Sequence, residues 1–408
     1  MTQDSKRTAI IIGGGVIGVT SAYALARDGW QVSILDTHDR PARGTSLGNG
    51  RQLSYGYASA LGSPTLLRKL PSLLLGAGDA IRISARGREG YHRWLLRFAA
   101  QCSAGAYRRN TLELLELAEQ SRQAMEALLD HVHIDFDHRR ANKLVILPDK
   151  EAREASRPML EAKRALGLEQ RLVSSDEACE IEPALRQSAR PFAGAIYMVG
   201  DDTGDCGKFS RALLDHLIRE YGTEFRGKAP VARVASSGVR ARVTLGSGEE
   251  IDADLAVIAT GAAARELTTP LGHALPVQPM KGYSFTAPLG NAAPLVAISD
   301  IPRRLVFTHC GDKMLVAGIA EMGRVDTDVD AQRLSAMIDA ARSVLPEAAD
   351  YSRVSAGWAG LRPMTPNSQP ITRMIEPGIA VNTGHGMLGW TLAMGSAQRL
   401  AQAVREAF

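Results

Sequence analysis

Gly13, Gly15 and Gly18 fall on the spacing G-x-G-x-x-G, directly after the apolar residues Ala9, Ile10, Ile11 and Ile12. The first glycine of such a set allows a tight turn. The second lets backbone N–H groups approach a pyrophosphate, and the third lets the next helix sit close to the strand. Asp36 ends a second apolar segment at the expected offset of ~20 residues, where a carboxylate can accept hydrogen bonds from a ribose hydroxyl. A second glycine-rich turn stands near the other end of the chain: Asn382-Thr383-Gly384-His385-Gly386-Met387-Leu388-Gly389-Trp390-Thr391. It too follows an apolar run and opens a helix, whose N-terminus near Gly389 is a second place prepared for partial negative charge. A phosphate-type turn at each end of one chain fits a long, two-ended cofactor. An NAD-only dehydrogenase would leave the C-terminal turn without a role.

These residues need elements to hold them. The apolar run at 8–12 reads as a buried parallel strand, followed by a helix over 16–28 that stops at Gly29 and a strand over 31–35. Residues 43–57 are rich in Gly, Ser and Asn and read as a loop running beneath the cofactor. A strand over 255–259 ends in Ala259-Thr260-Gly261, small residues that can lie against its nucleotide half. Helices are expected at 91–99, 111–130, 151–166, 208–221 and 331–344. Strands are expected at 143–147, 196–199, 282–287, 304–309, 314–318 and 353–358, and the short turns of the last group predict an antiparallel sheet. The fold class is therefore α/β with an α+β portion. A discontinuous Rossmann-like domain (1–80, 201–267 and 356–408) is joined to a mixed or antiparallel substrate domain (81–200 and 268–355), as a chain of 408 residues allows.

Other functions are set aside on chemical grounds. The net charge is only +4 and the basic residues are scattered, which disfavours nucleic acid as a partner. Cys102, Cys179, Cys206 and Cys310 are far apart, with no C-x-x-C pair, so neither a metal site nor a redox disulfide is indicated. Reduced thiols fit a cytoplasmic protein. His131, His133 and His138 read as surface residues, and Asp201-Asp202-Thr203-Gly204-Asp205 as a turn, since it lacks a calcium-loop register. Lys6 and Arg7 precede an uncharged run that resembles a secretion signal, but three consecutive glycines would break its apolar helix. Residues 66–88, apolar with interspersed arginines, read either as a segment touching the inner face of a membrane or as a buried helix with a basic rim.

The chain resembles the small, FAD-carrying subunit of D-amino-acid dehydrogenase, within the wider D-amino-acid oxidase/glycine oxidase superfamily. The resemblance spans nearly the whole length. It is carried by the two glycine turns, by Asn49-Gly50-Arg51-Gln52-Leu53-Ser54-Tyr55-Gly56-Tyr57, by Asp202-Thr203-Gly204-Asp205-Cys206, by Lys281-Gly282-Tyr283-Ser284 and by Gly360-Leu361-Arg362-Pro363-Met364-Thr365-Pro366. It implies a tightly bound FAD. Gly13, Gly14, Gly15, Val16, Ile17 and Gly18 would hold its pyrophosphate, with Asp36 at the adenosine ribose and Val231 beside the adenine. Ser46, Asn49 and Gln52 would pass the pyrophosphate and flavin ring, and Thr260 and Gly261 the nucleotide half. Gly386, Leu388, Gly389, Trp390 and Thr391 would present N–H groups to the flavin N1/C2 carbonyl, where negative charge collects on reduction.

The resemblance also implies that Arg362 clamps a substrate carboxylate, a pairing that a planar guanidinium makes bidentately. The implied reaction is hydride transfer from the Cα of a D-amino acid to flavin N5, giving an imino acid, then a 2-oxo acid and ammonia, with electrons passed to a quinone or other carrier. Tyr55, Tyr57, Lys281 and His385 are cleft candidates for binding or orienting substrate, with a buried, satisfied side chain as the bland account of His385. Arg51 and Tyr55 depart from the family pattern at the expected cleft entrance, which points toward cyclic substrates such as D-proline or cis-4-hydroxy-D-proline. The rivals are a glycine- or sarcosine-type oxidase and a non-catalytic FAD-binding subunit or redox sensor.

Overall fold

A computed structural model describes residues 6–74, 80–84 and 86–408. The apolar run forms the strand Thr8–Ile12, which pairs in parallel with Gln31–Leu35 on one side and Leu255–Ile258 on the other. This is the middle of a six-stranded sheet, in the order Ile371–Glu376, Ile379–Thr383, Leu255–Ile258, Thr8–Ile12, Gln31–Leu35, Glu224–Arg226. Every pair in it is parallel except the first. The helices Val16–Arg27 and Gly389–Ala407 pack against each other on one face, and Thr20 Oγ1 reaches the Ala393 carbonyl at 3.2 Å. Gly18 permits the close seat of the first helix: a Cβ there would lie 1.7 Å from the Gly13 carbonyl oxygen.

The second sheet is nine-stranded and mixed. At one end of it Gln278–Pro288 lies antiparallel between Lys313–Met322 and the edge strand Trp358–Met364. Lys143–Leu147 pairs in parallel with Ala297–Asp300 and antiparallel with Gly194–Met198. Val145 and Leu147 on one face and Leu144 and Ile146 on the other feed two separate apolar cores, which explains why this strand is buried along its whole length.

Two elements differ from expectation. The helix expected at 111–130 spans Ala104–Leu129, because the Ser103 hydroxyl accepts from the Ala106 N–H and starts it earlier. The strand expected at 353–358 instead begins at Trp358 and runs to Met364. Pro363 is tolerated there because the strand lies at the sheet edge. The motif that holds Arg362 is thus an extended segment of the second sheet. The segment at 66–88 contains the helix Pro64–Leu74 and the strand Ile81–Ile83; its residues 75–79 and 85 lie outside the described residues. Leu66 and Leu73 are buried against a cluster that includes Trp94 and Phe98, while Arg68 and Lys69 are exposed, as in the basic-rimmed helix considered above.

Candidate active site

One cavity of ≈ 930 Å³ runs between the two sheets, and both glycine turns open onto it. At one end lie Gly13, Gly15, Val16 and Ile17, with Asp36 and Val231 beside them. Gly14 and Gly18 act from behind. Gly14 donates its N–H to Asp36 Oδ2 at 2.5 Å, and Gly18 seats the helix. Asp36 Oδ1 accepts from the His38 N–H at 2.7 Å, so the carboxylate expected at the ribose is held in place by the turn on both oxygens. A Cβ on Gly15 would meet nothing nearer than Ser46 Oγ at 3.4 Å, which leaves an open cradle over the first turn of the helix.

The loop at 43–57 threads between the sheets and is pinned from both. Ser46 Oγ accepts from the Val16 N–H at 3.0 Å, and Asn49 Oδ1 from the Arg51 N–H at 2.7 Å. Gln52 Nε2 donates to the carbonyls of Phe307 and Ile298 at 3.1 and 3.3 Å. Thr260 and Gly261 line the wall, and Thr260 Oγ1 is buried without a partner. Gly386, Leu388, Gly389, Trp390 and Thr391 also line the cavity, and no side chain caps the helix that begins at Gly389. An open glycine cradle, an orphaned hydroxyl and an uncapped helix N-terminus facing one cavity are the donors that a dinucleotide with a flavin ring requires. These residues fit FAD.

Arg362 lies where the second sheet closes over the cavity. Its guanidinium crosses Gly282, where a Cβ would come within 2.3 Å of it. It donates to the carbonyls of Ile319 and Gly318 at 2.9 and 3.3 Å. The register jumps here: Lys281 opposes Glu321 while Tyr283 opposes Gly318, so one extra residue of the partner strand makes a bulge at Ile319. Ile319 has φ +55°, a costly conformation for a β-branched residue. That strain turns its carbonyl toward the guanidinium, and strain of this kind gathers at binding sites. Burial pulls the Arg362 pKa down to about 10, so the group keeps its charge at neutral pH. Among the described residues no carboxylate pairs with it.

His385 also lines the cavity and is 2% exposed. Among the described residues neither ring nitrogen has a hydrogen-bond partner, which corrects the expectation of a satisfied histidine. Burial pushes its pKa down to about 3, so it is a neutral imidazole offering one donor and one acceptor to whatever fills the space.

Two candidates are corrected. Lys281 does not line the cavity: its side chain is buried, with Nζ bound to Asp326 Oδ1 at 2.6 Å and to the Asp328 carbonyl. The strand alternation points it away from the site, where it pins the 326–328 loop. Lys281→Met should therefore cost about 1–2 kcal/mol of stability through the lost charged hydrogen bonds and leave kcat and KM unchanged, as thermal denaturation and steady-state assays would show. Tyr55 is 4% exposed in the main core, away from the cavity. Arg51 does not line it either, being paired with Asp205 at 2.8 Å. The cleft-entrance argument for cyclic substrates therefore loses its basis.

Tyr57 does line the cavity, and so do three residues that the sequence reading passed over: Lys143, Arg304 and Trp358. Lys143 Nζ donates to Gln52 Oε1 at 2.8 Å and Ser54 Oγ at 2.7 Å and stands 4.6 Å from the Tyr57 ring centre. Burial lowers its pKa to about 8. A cation opening an otherwise apolar strand was the available signal. Among the described residues no group of His, Cys, Asp or Glu side chains could hold a metal ion.

Comparison with known proteins agrees with this geometry. The family model described as "FAD dependent oxidoreductase" (DAO) matches residues 8–403. The chain is 35% identical over 405 residues to D-amino acid dehydrogenase 2 of Ralstonia nicotianae, covering 97% of this chain and 95% of that protein. It is also 35% identical to the D-amino acid dehydrogenase of Dechloromonas aromatica, covering 97% and 96%. Among solved structures, glycine oxidase from Geobacillus kaustophilus superposes with a TM-score of 0.77 at 21% identity, covering 99% and 96% of the two chains. L-proline dehydrogenase from P. horikoshii gives 0.74 at 17%, covering 98% and 94%. Two sheets closing on a cavity with a glycine turn at each end, together with a match along almost the full length, place the chain in the DAO family of FAD-dependent oxidoreductases.

Proposed function

We propose that this enzyme oxidises D-amino acids to imino acids, which hydrolyse to 2-oxo acids and ammonia, and that it delivers the electrons to a quinone or other carrier. The observation that carries this reading is Arg362: a guanidinium lining a sheltered cavity that, among the described residues, pairs with no carboxylate. The relatives named as D-amino acid dehydrogenases support the substrate class. FAD, when bound, supplies the hydride acceptor and passes two electrons onward. Arg362 holds the α-carboxylate and so fixes which face of Cα is presented. His385, neutral, can hydrogen-bond to ligand but cannot supply a charge. The helix N-terminus at Gly389, uncapped and lining the cavity, would favour negative charge on a group held there. In this reading residues 1–80, 201–267 and 356–408 carry the cofactor and residues 81–200 and 268–355 enclose the substrate, with Arg362 supplied from the strand that joins them. The exposed Arg68 and Lys69 rim is the surface we assign to any loose contact with a membrane. No helix among the described residues is long and apolar enough to cross one.

Anaerobic addition of paired D- and L-amino acids to the yellow holoprotein tests the reading. D-forms should bleach the flavin band, and L-forms should do so at least ~10²-fold more slowly, since inverting Cα on a fixed carboxylate misplaces the reacting hydrogen. Equal bleaching by both series would refute it. Substrate-limited oxygen uptake with peroxide in aerated buffer would replace the carrier with oxygen.

A further inference from the structure

Arg304 is a second guanidinium on the cavity wall. Its side chain makes no hydrogen bond or ion pair among the described residues, although burial pulls its pKa below the ordinary value. The groups facing it electrostatically are the phenols of Tyr57 and Tyr107, which are neutral. The nearest acid in sequence, Asp300, is taken: it accepts from the Arg303 N–H at 3.0 Å and from Arg303 Nη1 at 2.7 Å. Lys143, which also lines the cavity, differs in that it is held by the neutral acceptors Gln52 and Ser54 and already has the Asp201 carboxylate acting on it. Burying positive groups without counter-charge is costly unless an anion arrives to meet them.

The Arg304 backbone and the Arg362 guanidinium both reach Gly318. A Cβ on Gly318 would lie 2.6 Å from the Arg304 carbonyl oxygen, and the carbonyl of the same Gly318 accepts from Arg362 Nη2 at 3.3 Å. Gly318 therefore lets the Arg304 turn approach the strand that braces Arg362. Arg304 itself has φ +54°, strain that the turn at 301–304 keeps in order to place this side chain.

Resting on the D-amino-acid reading above, we propose that the preferred substrate carries a second carboxylate, as D-glutamate and D-aspartate do, with its α-carboxylate on Arg362 and its side-chain carboxylate on Arg304. A site that offers a charged donor discriminates strongly against a ligand lacking the matching group, because the donor is then left buried and unpaired. The neutral amide D-glutamine has the same shape and lacks the charge, so it is the control.

The test uses the full-length holoenzyme, as wild type, Arg304→Met and Arg304→Lys. All three place an L residue at the same φ, so no variant adds backbone strain. Wild type should show kcat/KM for D-glutamate or D-aspartate at least ~10-fold above the matching amide. Arg304→Met should lose ~10²-fold on the acids and erase the preference for acid over amide, with Arg304→Lys in between. Flavin-band perturbation gives a readout independent of turnover: glutarate should bind wild type ~10-fold or more tightly than butyrate, and Arg304→Met should erase the difference. Equal kcat/KM for acid and amide in wild type overturns the proposal, as does an equal loss on both in Arg304→Met. Bleaching by D-alanine but not by the acids overturns this proposal alone. Bleaching by no D-amino acid overturns the D-amino-acid reading with it.

Discussion

Arg362→Ala is expected to lower kcat/KM for D-amino acids by about 10²–10³-fold while the protein stays yellow. The magnitude follows from removing one partner of a sheltered charge pair, about 3–4 kcal/mol. Most of it should appear in KM where the carboxylate contact persists equally in ground and transition states, and in kcat where the contact orients Cα. Arg362→Lys should recover only part, because an ammonium cannot reproduce the two parallel bonds of a guanidinium. The wild-type side chain also braces the Gly318 and Ile319 carbonyls, so a second variant separates clamp from brace. Gly282→Ala keeps the charge but places a Cβ 2.3 Å from the guanidinium carbon, which must then move. A similar KM defect in both variants, with FAD absorbance and thermal midpoint retained, assigns the effect to the position of the charge. Unchanged turnover in Arg362→Ala would remove the carboxylate clamp altogether.

Gly18→Ala should cost the enzyme its cofactor. The added Cβ would sit 1.7 Å from the Gly13 carbonyl oxygen, so the helix must lift from the strand and the turn must open. Overpacking of this kind typically costs about 1–3 kcal/mol, and here the distortion lands on the N–H groups expected to meet the pyrophosphate. We expect FAD affinity to fall by at least ~10²-fold, with a lower thermal midpoint even in the apoprotein. Gly15→Ala is the contrasting case. Its φ of −71° suits alanine and its Cβ would meet only Ser46 Oγ, at 3.4 Å, so the apoprotein should keep its midpoint and lose only FAD affinity. Titration of each apoprotein with FAD, followed by flavin fluorescence, distinguishes the two. If Gly18→Ala binds FAD like wild type, the packing role assigned to Gly18 is wrong.

Much of this molecule is local, and local features are legible in a sequence. Period, glycine spacing and the acid after the second strand marked out the parallel sheet and its phosphate turn, because each depends on neighbours within a few residues. The C-terminal turn was legible for the same reason. Arg362 was identifiable only through its motif; the sequence did not show that it sits on a strand, crosses Gly282 and draws on a strained Ile319 carbonyl. Lys281 and Tyr55 show the converse. Both lie inside family motifs, yet one turns away to anchor a loop and the other fills the core.

The chain on its own determined the fold class and the cofactor chemistry, since these follow from residue types at short, fixed spacings. Only the tertiary structure decided which side chains face the cavity. Lys143, Arg304 and Trp358 come from segments far apart in sequence, and they line one cavity with Arg362 because the second sheet folds its strands over the first. Strand alternation then sends each side chain to one face or the other, and a one-residue bulge at Ile319 resets that alternation where the substrate would lie.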